Sequence, residues 1–344
     1  MKEIKILTAI CLFMISTISA ATLTDSIPAG EILTNIVPDS IDSTKTTVDS
    51  ITKKRTFFRR FADYFVNANK PHPNKKFDFS IIGGPQYSST TSLGIGLVAA
   101  GVYRMDQHDT ITQPSVMSVY GNVSITGFYL LGVRGTNIFP GDKYRLLYNL
   151  YFFSFPSNFW GWGYHDGANK DNKSTYLRLQ NQIKFDFLFR LSHNLYLGPM
   201  VSFDYVSGRD FSKPELLHGQ EKTTLTTGIG ASISYDTRDL ITNAYKGIYV
   251  KFEQGIYPSF MGNKYAFYMT DVIVDWYKKI WKGGVIAIDF HSKFNYGDVP
   301  WTMMSRLGGV ARMRGYYEGQ YRDNNITELQ VELRQHIWRR NGIA

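Results

Sequence analysis

The sequence has almost no cysteine and, beyond its first residues, no long hydrophobic run. Cys11 is the only cysteine and lies in an early apolar stretch, so the rest of the chain can form neither a disulfide nor a thiolate metal site. No later run reaches the ~18 apolar residues that a spanning helix needs. Charged residues make up 19% of the chain and the net charge is only +9. These values give no reason to expect a nucleic-acid partner.

The N-terminal stretch MKEIKILTAICLFMISTISAATL has the pattern of an export signal. Lys2 and Lys5 precede a short apolar run, and the small residues Ser19, Ala20 and Ala21 follow it. This order predicts a secretory signal peptide over residues 1–21. A membrane anchor is the alternative, but the apolar run is short and no stop-transfer pattern follows it.

Aromatic residues and glycine are abundant where long hydrophobic runs are missing. The chain has 23 Tyr, 23 Phe and 30 Gly. Hydropathy alone favours a soluble secreted protein. Aromatic richness together with alternating apolar and polar residues after an export signal is instead typical of an outer-membrane β-barrel, in which half of each strand faces a polar lumen.

Strict alternation is clearest in TYLRLQNQIKFDFLFRLS, residues 175–192. Its polar face includes Arg178, Gln182 and Lys184, while Leu179 and Phe185 lie on the opposite face. GVIAIDFHSKFNY and ITELQVELRQHIW alternate in the same way. A soluble sandwich also alternates, but these strands are long and aromatic at their ends, which favours lipid outside and water inside. The pattern predicts about twelve strands, near 77–87, 92–103, 115–127, 130–138, 144–155, 175–191, 194–206, 223–237, 246–257, 264–279, 284–296 and 325–338.

The part between the signal and the first predicted strand, residues 22–76, has a different character. It begins with a Thr/Ser/Asp-rich stretch of no sustained period, which predicts disorder. KKRTFFRRFADYFVNANK then places aromatic residues at helical spacing among basic ones. This pattern predicts a basic amphipathic periplasmic segment, either on the membrane surface or packed at the barrel mouth.

Two passages in the last two-fifths of the chain carry a resemblance to a known family. GIGASISYDTRDLITNAYKGIYVKFEQG contains the strand–turn–strand motif residues Tyr235, Asp236, Arg238, Asp239 and Gly247. RMRGYYEG supplies an arginine-glycine-aromatic loop motif at 313–316. Together these passages resemble the BamA and TamA superfamily of outer-membrane assembly barrels, the bacterial surface antigen family.

The resemblance implies a role for the loop at 297–324. In the resembling family this loop folds into the lumen, and its arginine contacts acidic residues of the inner wall. The loop motif residues here are Met313, Arg314, Gly315 and Tyr316. An arginine inside a barrel needs an acidic partner because it does not give up its charge.

By strand phase, Glu332 is the expected partner of Arg314 and Glu328 the second choice. Gly315 is expected to allow close backbone approach or positive φ, and Tyr316 to pack on the wall. The alternative is an exposed loop arginine with no such role.

The resemblance also implies parts that this sequence does not contain. Family barrels have about sixteen strands, and the loop lies between the eleventh and twelfth, in agreement with the strand count here. We therefore expect about four C-terminal strands to be missing, so that residues 77–344 form an incomplete barrel. Residues 22–76 are too few for the POTRA domains that often precede such barrels.

Sequence motifs of catalysis are weak. GIGLVAAG, residues 94–101, matches a dinucleotide fingerprint but lies in an alternating strand with no helix after it. His291, beside Asp289 and Lys293 on one face, and His165 with Asp166 are the only candidates for a hydrolytic or metal site. Isolated lumen and loop histidines are commoner, so we predict no enzyme, no metal and no cofactor. Trp160 and Trp162 predict an interfacial aromatic belt, or else a surface-ligand contact.

The sequence thus predicts an all-β fold, a transmembrane antiparallel β-barrel in the bacterial outer membrane. The resemblance implies outer-membrane protein assembly or polypeptide translocation. A diffusion channel or surface-binding barrel without assembly activity is the alternative, and an outer-membrane hydrolase dependent on His291 is a third. The expected partners are outer-membrane lipid and lipopolysaccharide, with other outer-membrane or periplasmic proteins as further candidates.

Overall fold

A computed structural model describes residues 77–88, 92–106, 109, 112–309, 311–338 and 341–344. Thirteen strands form one antiparallel sheet, in which each strand pairs with the next strand of that sheet along the chain. The fold is a transmembrane antiparallel β-barrel wall built as a continuous meander. The strands of the wall are β1 (Phe77–Ser88), β2 (Ser92–Tyr103), β3 (Ser115–Ser124), β4 (Tyr129–Ile138), β5 (Tyr144–Phe159), β6 (Ser174–Ser192), β7 (Leu195–Arg209), β8 (Thr223–Asp236), β9 (Gly247–Tyr257), β10 (Phe267–Trp281), β11 (Gly284–Gly297), β14 (Asn325–Trp338) and β15 (Asn341–Ile343).

Smaller elements lie in the connections. The two-stranded pair β12 (Ser305–Arg306) and β13 (Arg322–Asp323) stands between β11 and β14. A short helix, α1 (Gly163–Ala168), follows β5. Single 3₁₀ turns complete the connections at Pro140–Asp142, Lys170–Asn172, Pro214–Leu217 and Ser259–Met261.

The outer face of the wall is apolar and exposed. On β14, Leu329, Val331 and Leu333 are each more than half exposed, while the alternate residues point inward. An exposed face of this kind is unfavourable in water and stable in lipid. In hydrocarbon the backbone N–H and C=O groups have no water to bond. The hydrogen bonds between neighbouring strands of the sheet supply their partners instead.

The inner face carries charge pairs that span several strands. Lys184 Nζ of β6 lies 2.7 Å from Glu253 Oε2 of β9. Lys251 Nζ of β9 bonds Asp186 Oδ2 of β6 at 2.6 Å and Glu253 Oε1 at 2.7 Å. Two strands separate β6 from β9, so these contacts require the sheet to curve around a lumen. Opposite charges therefore compensate each other inside the wall.

The twelve predicted strands agree with the structure, with differences at their ends. The prediction missed β15 and the pair β12–β13, whose short segments carry no periodic pattern. It began the tenth strand at residue 264, whereas β10 begins at Phe267. Asn263 explains the late start: its side-chain nitrogen donates to Pro258 O and Thr227 O, and its side-chain oxygen accepts from Thr227 N, so the chain is held in a loop.

The predicted signal peptide over residues 1–21 and the lead-in over 22–76 lie outside the described residues. Among the described residues, no helix is long and apolar enough to cross a membrane.

We expect Val201→Arg to destabilise the folded barrel in lipid vesicles by about 2–4 kcal/mol, the usual cost of an arginine on the lipid face near the bilayer midplane. Val201 is 46% exposed near the middle of β7. The matched control, Thr136→Arg, places the same side chain toward the inner cavity. Denaturant unfolding in vesicles measures both changes, and equal losses would contradict the assignment of the two faces.

Candidate functional site

The long connection between β11 and β14, residues 298–324, folds back into the lumen; we call it the in-folded loop. Its first part is deeply buried, with Trp301 only 1% exposed. Trp301 Nε1 donates to Glu221 O at 2.8 Å, and Trp301 N donates to Gln220 Oε1 at 2.6 Å. Thr302 and Thr224 of β8 share a hydroxyl hydrogen bond of 2.7 Å. These contacts fasten the loop to the wall and to the connection after β7.

Around Trp301, apolar side chains from several connections form a cluster. It lies at the end of the barrel where the long connections are found, which we call the loop end. Aromatic rings from β5, β6 and the β7–β8 connection pack on the indole at centroid distances of 5.4–5.8 Å. The members of the cluster are Phe159, Tyr176, Val206, Phe211, Leu216, Leu217 and Trp301. Rings packed this way bury a large apolar area. The connections therefore pack together in a buried apolar cluster at this end.

A buried arginine from the short pair β12–β13 is enclosed by the same cluster. Arg322 is 5% exposed and its guanidinium lies 5.0 Å from the Phe159 ring centroid. Its Nη1 donates to Trp301 O at 2.9 Å. Burial lowers the pKa of Arg322 to about 10, so the side chain remains a cation at neutral pH. It ties the two ends of the in-folded loop together.

The tip of the in-folded loop reaches the inner wall through two arginines. Arg312 makes a forked contact with Asp289 of β11: Nε lies 2.8 Å from Oδ2 and Nη2 lies 3.0 Å from Oδ1. Arg314 Nη2 lies 3.1 Å from Glu332 Oε2 of β14. Gln330 of β14 donates both to Asp289 Oδ2 at 3.0 Å and to Ala311 O at 3.2 Å. Two neighbouring strands thus hold the tip.

Of the two contacts, that of Arg312 is the more enclosed. The Arg312 and Asp289 side chains are 24% and 22% exposed, whereas Arg314 is 57% exposed against 26% for Glu332. Burial alone lowers the pKa of the Arg312 guanidinium, but the Asp289 carboxylate outweighs it and holds that pKa above its usual value. Forked, partly buried pairs are stronger than single exposed ones. The sequence reasoning singled out Arg314 and missed Arg312.

The second expected partner, Glu328, is placed elsewhere. Its Oε2 lies 3.0 Å from His291 Nδ1, and His291 Nε2 lies 3.3 Å from Asp271 Oδ1. Glu328 is therefore not a partner of Arg314. His291 bridges two carboxylates across three strands, which is a structural use of the imidazole. Among the described residues, no group of three His, Cys, Asp or Glu side chains is arranged to hold a metal ion.

The expectations for the remaining loop motif residues are wrong in detail. Gly315 has no positive φ, and a Cβ built on it meets open space. Met313 instead takes the left-handed conformation, with φ +46. This turn directs Arg312 and Arg314 toward different strands. Tyr316 is 46% exposed and packs edge-on against Tyr321 of its own loop at 6.0 Å.

Tyr317, one residue later, packs on the connection that follows β5. Its ring lies 5.3 Å from that of Trp160. Trp160 is only 7% exposed and Trp162 packs against His218 at 4.5 Å. Neither tryptophan forms an outward aromatic belt, because both turn inward under the connections. His165 stacks edge-on with Tyr164, and Asp166 Oδ2 lies 3.1 Å from His218 Nε2.

At the opposite end of the barrel, the strand–turn motif forms a compact charged turn. The Asp236 carboxylate accepts from Arg238 Nε at 2.9 Å and from Arg145 Nη1 at 3.1 Å. Asp239 Oδ1 accepts the backbone N–H groups of residues 240, 245 and 246. Gly247 has φ +111, and a Cβ there would lie 2.4 Å from Thr237 O. Glycine is therefore required at this close approach.

Tyr235 and Arg238 are the other members of the strand–turn motif. Tyr235 is 40% exposed on the outer face. Burial alone lowers the pKa of Arg238, but its bonds to Asp236 hold it above its usual value. Arg145, on β5, also bonds Asp142 at 2.8 Å and was not anticipated, since it lies far from the motif in sequence.

Comparison with known proteins identifies the family. The model of the Omp85 superfamily domain matches residues 135–342, more than half of the chain. The chain belongs to the Omp85 superfamily. This membership confirms the resemblance to BamA- and TamA-type barrels of the outer membrane. No curated protein matches the sequence.

Among solved structures, the chain is similar to the crystal structure of BamA from Haemophilus ducreyi lacking POTRA domains 1-3. The identity is 13% and the TM-score 0.44, with 76% of this chain and 54% of that chain covered. The chain thus spans about half the length of that Omp85 structure.

We expect Arg312→Ala to destabilise the folded barrel more than Arg314→Ala. The first change strands a partly buried Asp289 and should cost about 1–3 kcal/mol, whereas the second removes an exposed contact worth roughly 0.2–1 kcal/mol. Loss of heat resistance on semi-native gels measures both. Arg209→Ala, an exposed residue at the end of β7, is the matched control. A larger effect from Arg314→Ala would contradict the ranking.

A charge exchange tests the Arg312–Asp289 pair directly. We expect Asp289→Arg to lower the melting temperature, because it places two cations together, and Arg312→Asp to restore part of that loss in the double variant. The measurement is a double-mutant cycle on thermal melts. Strictly additive effects would mean that the two side chains do not interact in the folded barrel.

Proposed function

We propose that this Omp85 barrel inserts or translocates polypeptides at the outer membrane, with the in-folded loop as a latch that sets the shape of the lumen. The observation that carries the proposal is the attachment of the loop tip to β11 and β14 through Arg312–Asp289 and Arg314–Glu332. A loop held on two neighbouring strands couples the shape of the lumen to the wall. The polypeptide would pass at the seam between the first and last strands.

The apolar cluster at the loop end supports this role over free diffusion. A cavity of about 1480 Å³ lies in the lumen, lined by charges of both signs. The cluster around Trp301 lies at the loop end, where a diffusion channel would need an open path. A diffusion channel remains the second candidate because charged side chains of both signs line the cavity.

We expect vesicles that contain the folded chain to speed the insertion of an unfolded outer-membrane polypeptide about tenfold over empty vesicles, which corresponds to a barrier lowered by about 1.4 kcal/mol. Appearance of the folded, heat-modifiable client band measures the rate. The Arg312→Ala variant should lose part of the acceleration, and the Arg209→Ala control should keep it.

The same preparation tests the alternative. Steady ion conductance across a planar bilayer, together with no acceleration of client insertion, would establish a channel and contradict the assembly role. Both measurements use the same folded material, so a failure to fold is recognised before either result is interpreted.

A further inference from the structure

The two ends of the barrel differ in their charge. At the loop end, the connections 160–173, 210–222 and 258–266 mix the two signs. They carry the acids Asp166, Asp171, Asp210, Glu215 and Glu221 beside the lysines Lys170, Lys173, Lys213, Lys222 and Lys264. Part of this charge is paired, as Lys264 Nζ lies 2.5 Å from Glu221 Oε1. The loop end therefore presents no surface of a single sign.

The opposite end of the barrel, where the short turns between strands lie, presents exposed cations; we call it the turn end. They occur on successive connections along the rim, at the β4–β5 turn, the end of β6, the β8–β9 turn and the β10–β11 hairpin. We call them the turn-end cations; they are Lys143, Arg190, Lys246, Lys278, Lys279 and Lys282, all exposed. Within the described part of the chain, none of the six takes part in an ion pair closer than 4.0 Å.

The acids of the β4–β5 and β8–β9 turns are already engaged. Asp142 bonds Arg145 and the Tyr196 hydroxyl. Asp236 is held by Arg145 and Arg238. Asp239 accepts three backbone N–H groups of its own turn. These carboxylates fold the turns and do not neutralise the cations, so the rim keeps a positive surface.

The β10–β11 hairpin places its lysines at the height of the lipid interface. Lys278 shares the outer face of β10 with Trp276 and Ile280, which are 37% and 47% exposed. Trp281, 48% exposed, ends the same strand. Tryptophan beside lysine at the end of an apolar strand face is the arrangement found where a wall leaves the hydrocarbon and meets headgroups.

We propose that the turn-end cations, centred on Lys278, Lys279 and Lys282, bind the phosphate groups of anionic phospholipids in the adjoining leaflet. Short turns face the periplasm in outer-membrane barrels, so this leaflet is the inner one. Each lysine near an anionic membrane surface contributes roughly 1 kcal/mol of attraction. The surface selects lipid because its cations stand beside lipid-facing aromatic side chains. An acidic protein partner would not need those side chains.

The test measures which lipid surrounds the hairpin. The full chain is folded into phosphatidylcholine vesicles that contain a small fraction of brominated phosphatidylglycerol or, in parallel, of brominated phosphatidylcholine. Bromine quenches the fluorescence of Trp276 and Trp281, which face the lipid there. The variant Trp276→Phe plus Trp281→Phe gives the background from the other four of the six tryptophans.

We expect the anionic lipid to quench more strongly in the unmodified chain, with an apparent association constant at least about fivefold above that of the neutral lipid, as one lysine–phosphate contact provides. The triple variant Lys278→Gln, Lys279→Gln and Lys282→Gln should quench equally with both lipids. The matched control, Lys170→Gln, Lys173→Gln and Lys222→Gln at the loop end, should keep the preference.

Salt gives a second measurement that needs no variant. Raising the salt concentration to about 1 M shortens the screening length to about 3 Å, so the preference of the unmodified chain should disappear. Equal quenching by the two lipids at low salt would overturn the proposal and would leave an acidic protein as the partner of these cations. A preference that survives both the triple variant and high salt would also overturn it.

Discussion

The fold depends on one constraint: a polar backbone in hydrocarbon must bond to itself, because no water is there to replace a missing partner. An antiparallel meander meets this constraint strand by strand. It also fixes the alternation of side chains, because neighbouring residues on a strand point to opposite faces. Once Leu329 and Val331 face lipid, Glu328, Gln330 and Glu332 must face the lumen. The polar interior is thus a consequence of the apolar exterior.

A polar interior has its own requirement, since partly buried charges need partners. In the wall, Lys184, Lys251, Asp186 and Glu253 satisfy one another across β6 and β9. On β11 and β14 the carboxylates of Asp289 and Glu332 are met by arginines that the in-folded loop supplies. The in-folded loop therefore supplies charge partners that the wall itself lacks. It brings two arginines to strands whose inner faces have an excess of acidic residues near the loop tip.

The strands were predictable from the sequence because period-2 alternation is a local signal that the sheet preserves. Contacts between distant segments were not. Arg145 reaches Asp236 across the two strands that separate β5 from β8, and no local pattern marks it as part of the YDTRD turn. Arg312 and Arg314 are equivalent in sequence, two positions apart. Which of the two arginines is enclosed depends on the left-handed conformation of Met313. Methionine rarely adopts that conformation, so the sequence does not indicate it.

The positions of the tryptophans could likewise be predicted only where they lie in strands. Trp160 and Trp162 satisfy the compositional rule for an interfacial belt, yet both are drawn inward by other connections that pack on them. Trp276 and Trp281, on the outer face of a strand, meet the lipid instead. The difference lies in strand phase: a tryptophan inside an alternating strand has its face set by its neighbours, whereas one in a long connection goes wherever burial is available.

The asymmetry of the two ends bears on how the lumen is used. At the loop end, the Trp301 cluster is dry and apolar, so opening it would expose the rings of four aromatic residues, Phe159, Tyr176, Phe211 and Trp301, to water. At the turn end, residues 241–245 of the β8–β9 turn bound the cavity, and Thr242 and Tyr245 among them are already exposed. Displacing a turn that is partly exposed uncovers less new apolar area than opening an aromatic cluster. Access to the lumen, in the described part of the chain, is therefore easier from the turn end than through the connections.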